Sequence, residues 1–295
     1  MSNPGAQVET SDKEEEQSSK NITSFLINKS GFPLDKDSWN QMLDKIKTTH
    51  PNGENLISTL ILKEQQFLRK NIKNDENIDT KECEDKYEQP VILPEPKFIP
   101  SMSELQKIAA IQRYLNRLQY NHTGMQFFNI KKNRSINRLY ETAKEMIRFS
   151  LPIKCLEAVV LSLYLTANFK KVSRFTIRFK TKFGQNTHKH IVLGIYHNAY
   201  YGALGLSRRK TLMDKPITFP TLTDLILDYK KCYEECYHTI SKVKMSSFLS
   251  SDKHSNDIII WNHFIVNVGK LSDKEMKPVL EKYAREMKRK TDSII

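Results

Sequence analysis

From residue 173 onward the chain changes its hydrophobic period, and that change limits the architectures open to it. "SRFTIRFKTKF", Ser173 to Phe183, alternates Phe175, Ile177 and Phe179 with Arg174, Thr176, Arg178 and Lys180. A two-residue period of this kind predicts a strand with one covered face and one basic outer face. Upstream the period is helical. Ser101 with Glu104 predicts a capping box that opens a helix carrying Leu105, Ile108, Ile111, Leu115 and Leu118 on one side. A second helix is marked by Ile136, Leu139, Tyr140, Ala143, Met146 and Ile147. The apolar run from Leu156 to Leu165 has Glu157 inside it, is too short to span a bilayer, and reads as a core helix. Downstream, "KHIVLGIYHNAYYGALGLSRR" (189–209) predicts two more strands about a turn at Asn198, residues 223–243 read as helix, and "DIIIWNHFIVNV" (257–268) reads as strand. Ser272 with Glu275 caps a last helix ending in Lys288, Arg289 and Lys290. Helices followed by an antiparallel sheet make an α+β domain, placed at residues 101–290.

Ahead of that domain, residues 1–35 are polar and read as a disordered tail. Residues 36–100 form a helical region: Trp39, Met42, Leu43 and Ile46 predict one amphipathic helix, Leu56, Ile57, Leu60 and Ile61 another. A charged, Asn-rich insertion at 63–89 and the Pro-stiffened connector "PVILPEPKFIPS" follow. The start of the chain has no apolar run, which predicts no signal peptide. Four cysteines (Cys83, Cys155, Cys232 and Cys236) in 295 residues do not make a disulfide framework, and a reducing, cytoplasmic setting is expected. A net charge of +13 calls for an acidic partner. Nucleic acid, anionic lipid and acidic polypeptide satisfy it equally. No zinc-finger spacing, RNP-like motif, P-loop or dinucleotide fingerprint supports nucleic acid, and no membrane partner or cofactor is expected. "CYEECYH" offers Cys232, Cys236 and His238 but no fourth ligand, and its cysteines share a helical face with Leu225, Tyr229, Tyr233 and Ile240, so no metal is expected. The aromatic pairs Phe127-Phe128 and Tyr200-Tyr201 read as core packing more than as a pocket.

Cys155 stands at the head of "LPIKCLEAVVLSLYLT". Pro152 holds the helix from starting earlier, so Cys155 falls in the first turn, where free N–H groups, the macrodipole and Lys154 all favour a thiolate. A buried cysteine that only packs is the competing reading. A nucleophilic cysteine needs a base, and His190 opens the strand "HIVLGIYH" on a definite face; His188, His197 and His122 compete with it. If Asn198-Ala199 is a two-residue turn, cross-strand partners sum to 397, and His190 then faces Ser207. Papain-like and transglutaminase-like enzymes use Asn or Asp to orient the imidazole, so Ser207 would have to do so through its hydroxyl or its carbonyl.

"LQYNHTGMQFFNIKK", "LPIKCLEAVVL", "FKTKF", "HIVLG" and "YGALGLSRR", in this order, closely resemble the vasohibins, tubulin tyrosine carboxypeptidases with a transglutaminase-like cysteine-protease core. The resemblance runs from about Trp39 to the last helix, apart from 63–89. It implies a Cys155, His190 and Ser207 triad, an oxyanion contact from Tyr120, and a clamp on the substrate's terminal carboxylate by Lys154 and Arg208. It further implies that Lys131, Lys132, Arg134 and Lys180 meet the acidic tail of α-tubulin. Lys189 stands where the family commonly has arginine, which replaces a bidentate fork by a point charge. The implied partners are microtubules and the small vasohibin-binding protein, seated on the amino-terminal helices. The implied location is cytoplasmic, with an unconventional route out of the cell left open. The alternative is a non-enzymatic basic module that binds acidic polypeptides or microtubules, with an inert Cys155.

Overall fold

The computed structural model describes residues 93–121, 126–169 and 171–292. The expected tail, the two amino-terminal helices, the insertion 63–89 and His122 lie outside the described residues. The elements run α1 (Glu104–Leu118), α2 (Ile136–Phe149), α3 (Cys155–Leu165), β1 (Ser173–Phe183), β2 (Asn186–His197), β3 (Tyr200–Leu204), β4 (Lys215–Phe219), α4 (Leu222–Glu235), β5 (Thr239–Met245), β6 (Phe264–Val266) and α5 (Asp273–Asp292). The six strands form one antiparallel sheet in the order β4-β3-β2-β1-β5-β6. The α+β expectation holds.

Helices cover both faces of this sheet. On one face α1, α2 and α3 pack with Ile191, Leu193 and Ile195; on the other, α4 and α5 enclose Phe175, Ile177, Phe179, Val192 and Val243. β1 lies inside the sheet, and this corrects the basic outer face drawn from its alternation. Thr176 and Arg174 are buried on the side expected to be open, and the Arg174 guanidinium donates to the Thr166 carbonyl at 3.0 Å and the Leu249 carbonyl at 3.4 Å. Only the far end of the strand, with Lys182, reaches solvent fully. α3 is apolar on nearly every side and is enclosed from Ala158 to Leu163. A leucine buried as fully as Leu161 contributes about 2–5 kcal/mol relative to alanine.

The β2–β3 turn is the two-residue turn expected from the sequence. Asn198 (φ 48°) and Ala199 (φ 67°) both have positive φ, as a type I′ turn requires, and pairs such as Leu193↔Leu204 obey the expected sum. Three boundaries differ from expectation. The first helix is capped by Ser103 with Gln106, not Ser101 with Glu104. The strand expected over 257–268 shrinks to Phe264–Val266 plus a bridge at Ile258. The helix expected over 223–243 stops at Glu235, and its last five residues, 239–243, belong to β5. That stop is a Schellman motif: Tyr237 (φ 61°) donates to the Glu234 carbonyl at 2.9 Å, and His238 to the Tyr233 carbonyl at 2.9 Å. Beyond it Ile240, Val243 and Met245 turn inwards from the strand.

Candidate active site

Cys155 is the first residue of α3, with Lys154 as N-cap in an extended conformation (φ −95°, ψ 177°). The backbone before it is held in place by a short parallel bridge, Tyr120↔Ile153, made by Asn121 N–H to the Ile153 carbonyl (2.9 Å) and Ile153 N–H to the Gln119 carbonyl (3.2 Å). Gln119 ends α1 at φ 65°, and that reversal brings the next residue, Tyr120, to the start of α3. Cys155 and Tyr120 thus arrive at one place from helices far apart in sequence.

The second group comes from β2. The β2–β3 ladder ends at Leu193↔Leu204 and leaves the opening residues of β2 without a β3 partner. Cys155 fills part of that edge. The Ile191 amide faces its sulfur, as do the amides of Leu156 and Cys155 itself. His190, next to Ile191, is half-buried with its ring stacked on Phe179 at 6.5 Å. Its Nε2 lies 2.8 Å from the Leu212 carbonyl. A carbonyl only accepts, so Nε2 carries the proton and Nδ1 is the basic nitrogen of the neutral ring. This corrects the orienting role expected of Ser207. The hairpin sum is right, but β3 ends before the 190/207 pair. The chain instead turns through Lys210–Leu212 to present the Leu212 carbonyl, while the Ser207 hydroxyl accepts from the Arg209 amide at 3.4 Å.

Burial decides the protonation of this pair. It pushes His190 down to about 4 against a partial offset from the Leu212 carbonyl. It also pushes the Cys155 thiol up, with the three amide contacts opposing and Glu157 reinforcing. Desolvation thus opposes the lowering expected of the thiol from the helix terminus and Lys154. At neutral pH the pair is thiol and neutral imidazole.

Arg208 is exposed, donates to the Tyr120 hydroxyl, and holds its guanidinium carbon 5.8 Å from the Tyr120 ring centre. Burial raises the Tyr120 phenol, the nearby Cys155 adds to the rise, and Arg208 partly reverses it. Tyr120, Cys155 and Arg208 are thus drawn together, with Lys154 next to Cys155 in the chain and His190 next to Ile191, whose amide faces the sulfur. The other expected cations lie in two groups. Lys189 pairs with Lys180 across β1–β2, and Lys180 with Lys242 across β1–β5, so three lysines form a row over three strands. Lys131, Lys132 and Arg134 form the turn before α2, closed by Arg134 N–H to the Lys131 carbonyl (3.1 Å) and tied to Trp261 through the Lys132 carbonyl (2.9 Å).

The competing features take structural places. His197 is buried and bonds the Lys171 carbonyl at 2.8 Å; His188 is exposed and packs on His238 at 4.9 Å. Cys232 accepts from the Lys215 ammonium at 3.2 Å, whereas His238 stacks on Phe183 and meets the Thr181 hydroxyl. Phe127, Phe128 and Tyr201 are core, and Tyr200 is half exposed. Three contributors escaped the sequence: the Leu212 carbonyl, the Ile191 amide and the Glu157 carboxyl. The first two are backbone atoms. The third had a signal, a lone charge inside an apolar run, three residues after the N-cap.

An α+β core with a cysteine at a half-buried helix terminus, a histidine on the adjoining strand and cations at the rim has the parts of a cysteine-dependent acyl-transfer site. The vasohibin family model matches residues 23–288, and the chain belongs to the vasohibin family. Among curated proteins it is similar to Tubulinyl-Tyr carboxypeptidase 1 of Mus musculus, 38% identical over 291 residues that cover 97% of this chain and 72% of the mouse protein.

Proposed function

We propose that this chain is a cysteine carboxypeptidase with a transglutaminase-like core that removes the C-terminal tyrosine of α-tubulin. The observation that supports the reading is Cys155 at the N-terminus of α3 beside the Tyr120–Arg208 pair, with the amide of Ile191, the residue after His190, facing its sulfur. Likeness to the mouse tubulinyl-Tyr carboxypeptidase supplies the substrate.

His190 Nδ1 takes the Cys155 proton as the sulfur attacks the carbonyl preceding the terminal tyrosine. The oxyanion is met by the Cys155 N–H and the Tyr120 hydroxyl. Imidazolium then protonates the leaving amine, tyrosine departs, and His190 activates water against the thioester. The Leu212 carbonyl keeps the ring in the required tautomer throughout. In this reading Ser207 flanks Arg208 at the rim and the third seat of the triad belongs to Leu212.

Lys154 and Arg208 bind the α-carboxylate by charge-assisted hydrogen bonds. A longer peptide would place its next peptide group where the clamp is, which restricts cleavage to the last residue. The acidic stretch leading to the tyrosine lies along Lys180 and Lys189 and towards Lys131, Lys132 and Arg134, an attraction that weakens with salt. The small vasohibin-binding protein is the helical partner expected on residues 36–100. The setting for this substrate is the cytoplasm, at microtubules.

Mass spectrometry tests the proposal on a tail peptide ending in Glu-Glu-Tyr, incubated with wild type or Cys155→Ala, each with the small partner. Loss of one tyrosine with wild type alone, and none from the C-terminally amidated peptide, is the expected result. No loss with a folded complex leaves a basic module that binds acidic polypeptides without chemistry.

A further inference from the structure

Glu157 is a buried titratable group for which the mechanism above has no use. It is 1% exposed in the first turn of an otherwise apolar helix. One carboxyl oxygen accepts from the Lys154 amide, and the Phe128 amide also faces the carboxyl. A capping box usually pairs such a glutamate with an N-cap serine or threonine that bonds back to the helix. Lys154 has no side-chain acceptor to offer, so the half made by Glu157 is what ties the N-cap to α3. An exposed glutamate makes that bond at little expense, whereas a carboxyl sealed beneath the nucleophile loses its solvation for it.

We propose that Glu157 is a positioning residue for the Cys155 reaction: by holding the Lys154 amide from beneath, its carboxyl fixes the Ile153–Lys154 peptide, and through it the root of the Lys154 side chain and the next peptide unit, which presents the Cys155 N–H. The inference rests on the reading of Cys155 as nucleophile. Its consequences are two. The N–H that meets the oxyanion and the ammonium that meets the carboxylate share one anchor, so chemistry and recognition are set by a single carboxyl. The ionisation of that carboxyl also reaches the sulfur. The groups facing it are the Lys154 ammonium and the Cys155 thiol at the start of α3, the Tyr120 phenol with Arg208 bonded to it, and the Phe128 amide. Burial raises Glu157 to about 7, with the Lys154 amide, the Lys154 ammonium and the Phe128 amide drawing it back. Once ionised, it opposes a thiolate on Cys155.

The test uses the full chain with its small partner as wild type, Glu157→Gln and Glu157→Ala, each checked for folding by circular dichroism and thermal melting. Two readouts are taken: kcat and KM for the tail peptide, and the pH dependence of Cys155 alkylation by iodoacetamide. Gln keeps an acceptor for the Lys154 amide and removes the charge. Its kcat is expected within about threefold of wild type, and its alkylation inflection about one pH unit lower. Ala removes the acceptor, and its kcat is expected to fall about 10- to 100-fold from misplacement of the Cys155 amide. Equal losses in the two folded variants, or no change in either readout, overturn the proposal. If wild type releases no tyrosine, the carboxypeptidase reading fails, and the alkylation series still decides whether Glu157 governs Cys155.

Discussion

Folding shifts His190 and Glu157 in opposite directions over one pH window, and stability measurements can separate them. For His190 the folded value is about 4 against 6.5 for a free histidine. Below 6.5 the unfolded chain takes up a proton that the folded one refuses, so His190 contributes its stability above that pH and loses it as pH falls towards 4. Between pH 7 and pH 4.5 the loss is about 2.5 kcal/mol. For Glu157 the folded value is about 7 against 4.5 for a free glutamate. Here the unfolded chain releases a proton that the folded one keeps, so its contribution is present at low pH and lost as pH rises from 4.5 to 7. Over the same interval, lowering the pH regains about 2.5 kcal/mol. In the wild type the two contributions cancel. Urea unfolding at pH 7.0 and pH 4.5 on wild type, His190→Gln and Glu157→Gln, each compared with wild type at the same pH, uncovers them. His190→Gln should gain about 2.5 kcal/mol on wild type as the pH drops, and Glu157→Gln should lose about as much. Differences from wild type that stay constant to within about 0.5 kcal/mol across this interval would refute the assignment of a neutral imidazole and a protonated carboxyl to the folded site.

Arg208→Ala should raise the KM of the tail peptide about 10- to 100-fold, with Arg208→Lys recovering part of it; steady-state kinetics that show an unchanged KM would remove Arg208 from the clamp. Tyr120→Phe keeps the ring beneath Arg208 and deletes the hydroxyl, so kcat should fall about 100-fold with a smaller change in KM, measured by tyrosine release. Cys155 alkylation in the free wild-type protein should climb with pH through and above the ordinary thiol range; a reactive plateau extending below pH 6 would mean a preformed thiolate–imidazolium pair. Ala199 holds φ 67° in the β2–β3 turn, so Ala199→Gly should stabilise the protein by about 1 kcal/mol and raise its melting temperature by about 2–4 °C.

The sequence showed which residues alternate but not what lies on each side of them. β1 was legible to its last residue, yet Arg174 was put in water because a period of two gives the parity of a face, not whether a helix covers it. The helix expected over 223–243 failed for a related reason. Tyr229, Tyr233, Cys236 and Ile240 continue a helical spacing, and the break falls at Tyr237, whose left-handed conformation carries no glycine to announce it. At the site the side chains were legible and their arrangement was only half so. His190 followed from its place on a strand. Ser207 followed from a correct register carried three residues beyond the end of the ladder, since nothing in the spacing marks where β3 stops.

What replaced Ser207 was a carbonyl, and what steadies the sulfur is a set of amides. Every residue has these groups, so no residue type betrays them. A site that relied on an Asn or Asp to orient its imidazole would write that requirement into the sequence. This one meets it with the turn after β3, and the requirement passes to whatever holds Lys210–Leu212 in place. Leu212 is buried in the cluster on the α4 side of the sheet, and Tyr229 of α4 donates to the Met213 carbonyl at 2.8 Å. The orientation of His190 is therefore maintained by core packing and one tyrosine bond. Tyr229→Phe, which keeps the ring and frees the Met213 carbonyl, should lower kcat while leaving Cys155 and His190 intact; kinetics equal to wild type would show that packing of Leu212 alone is enough.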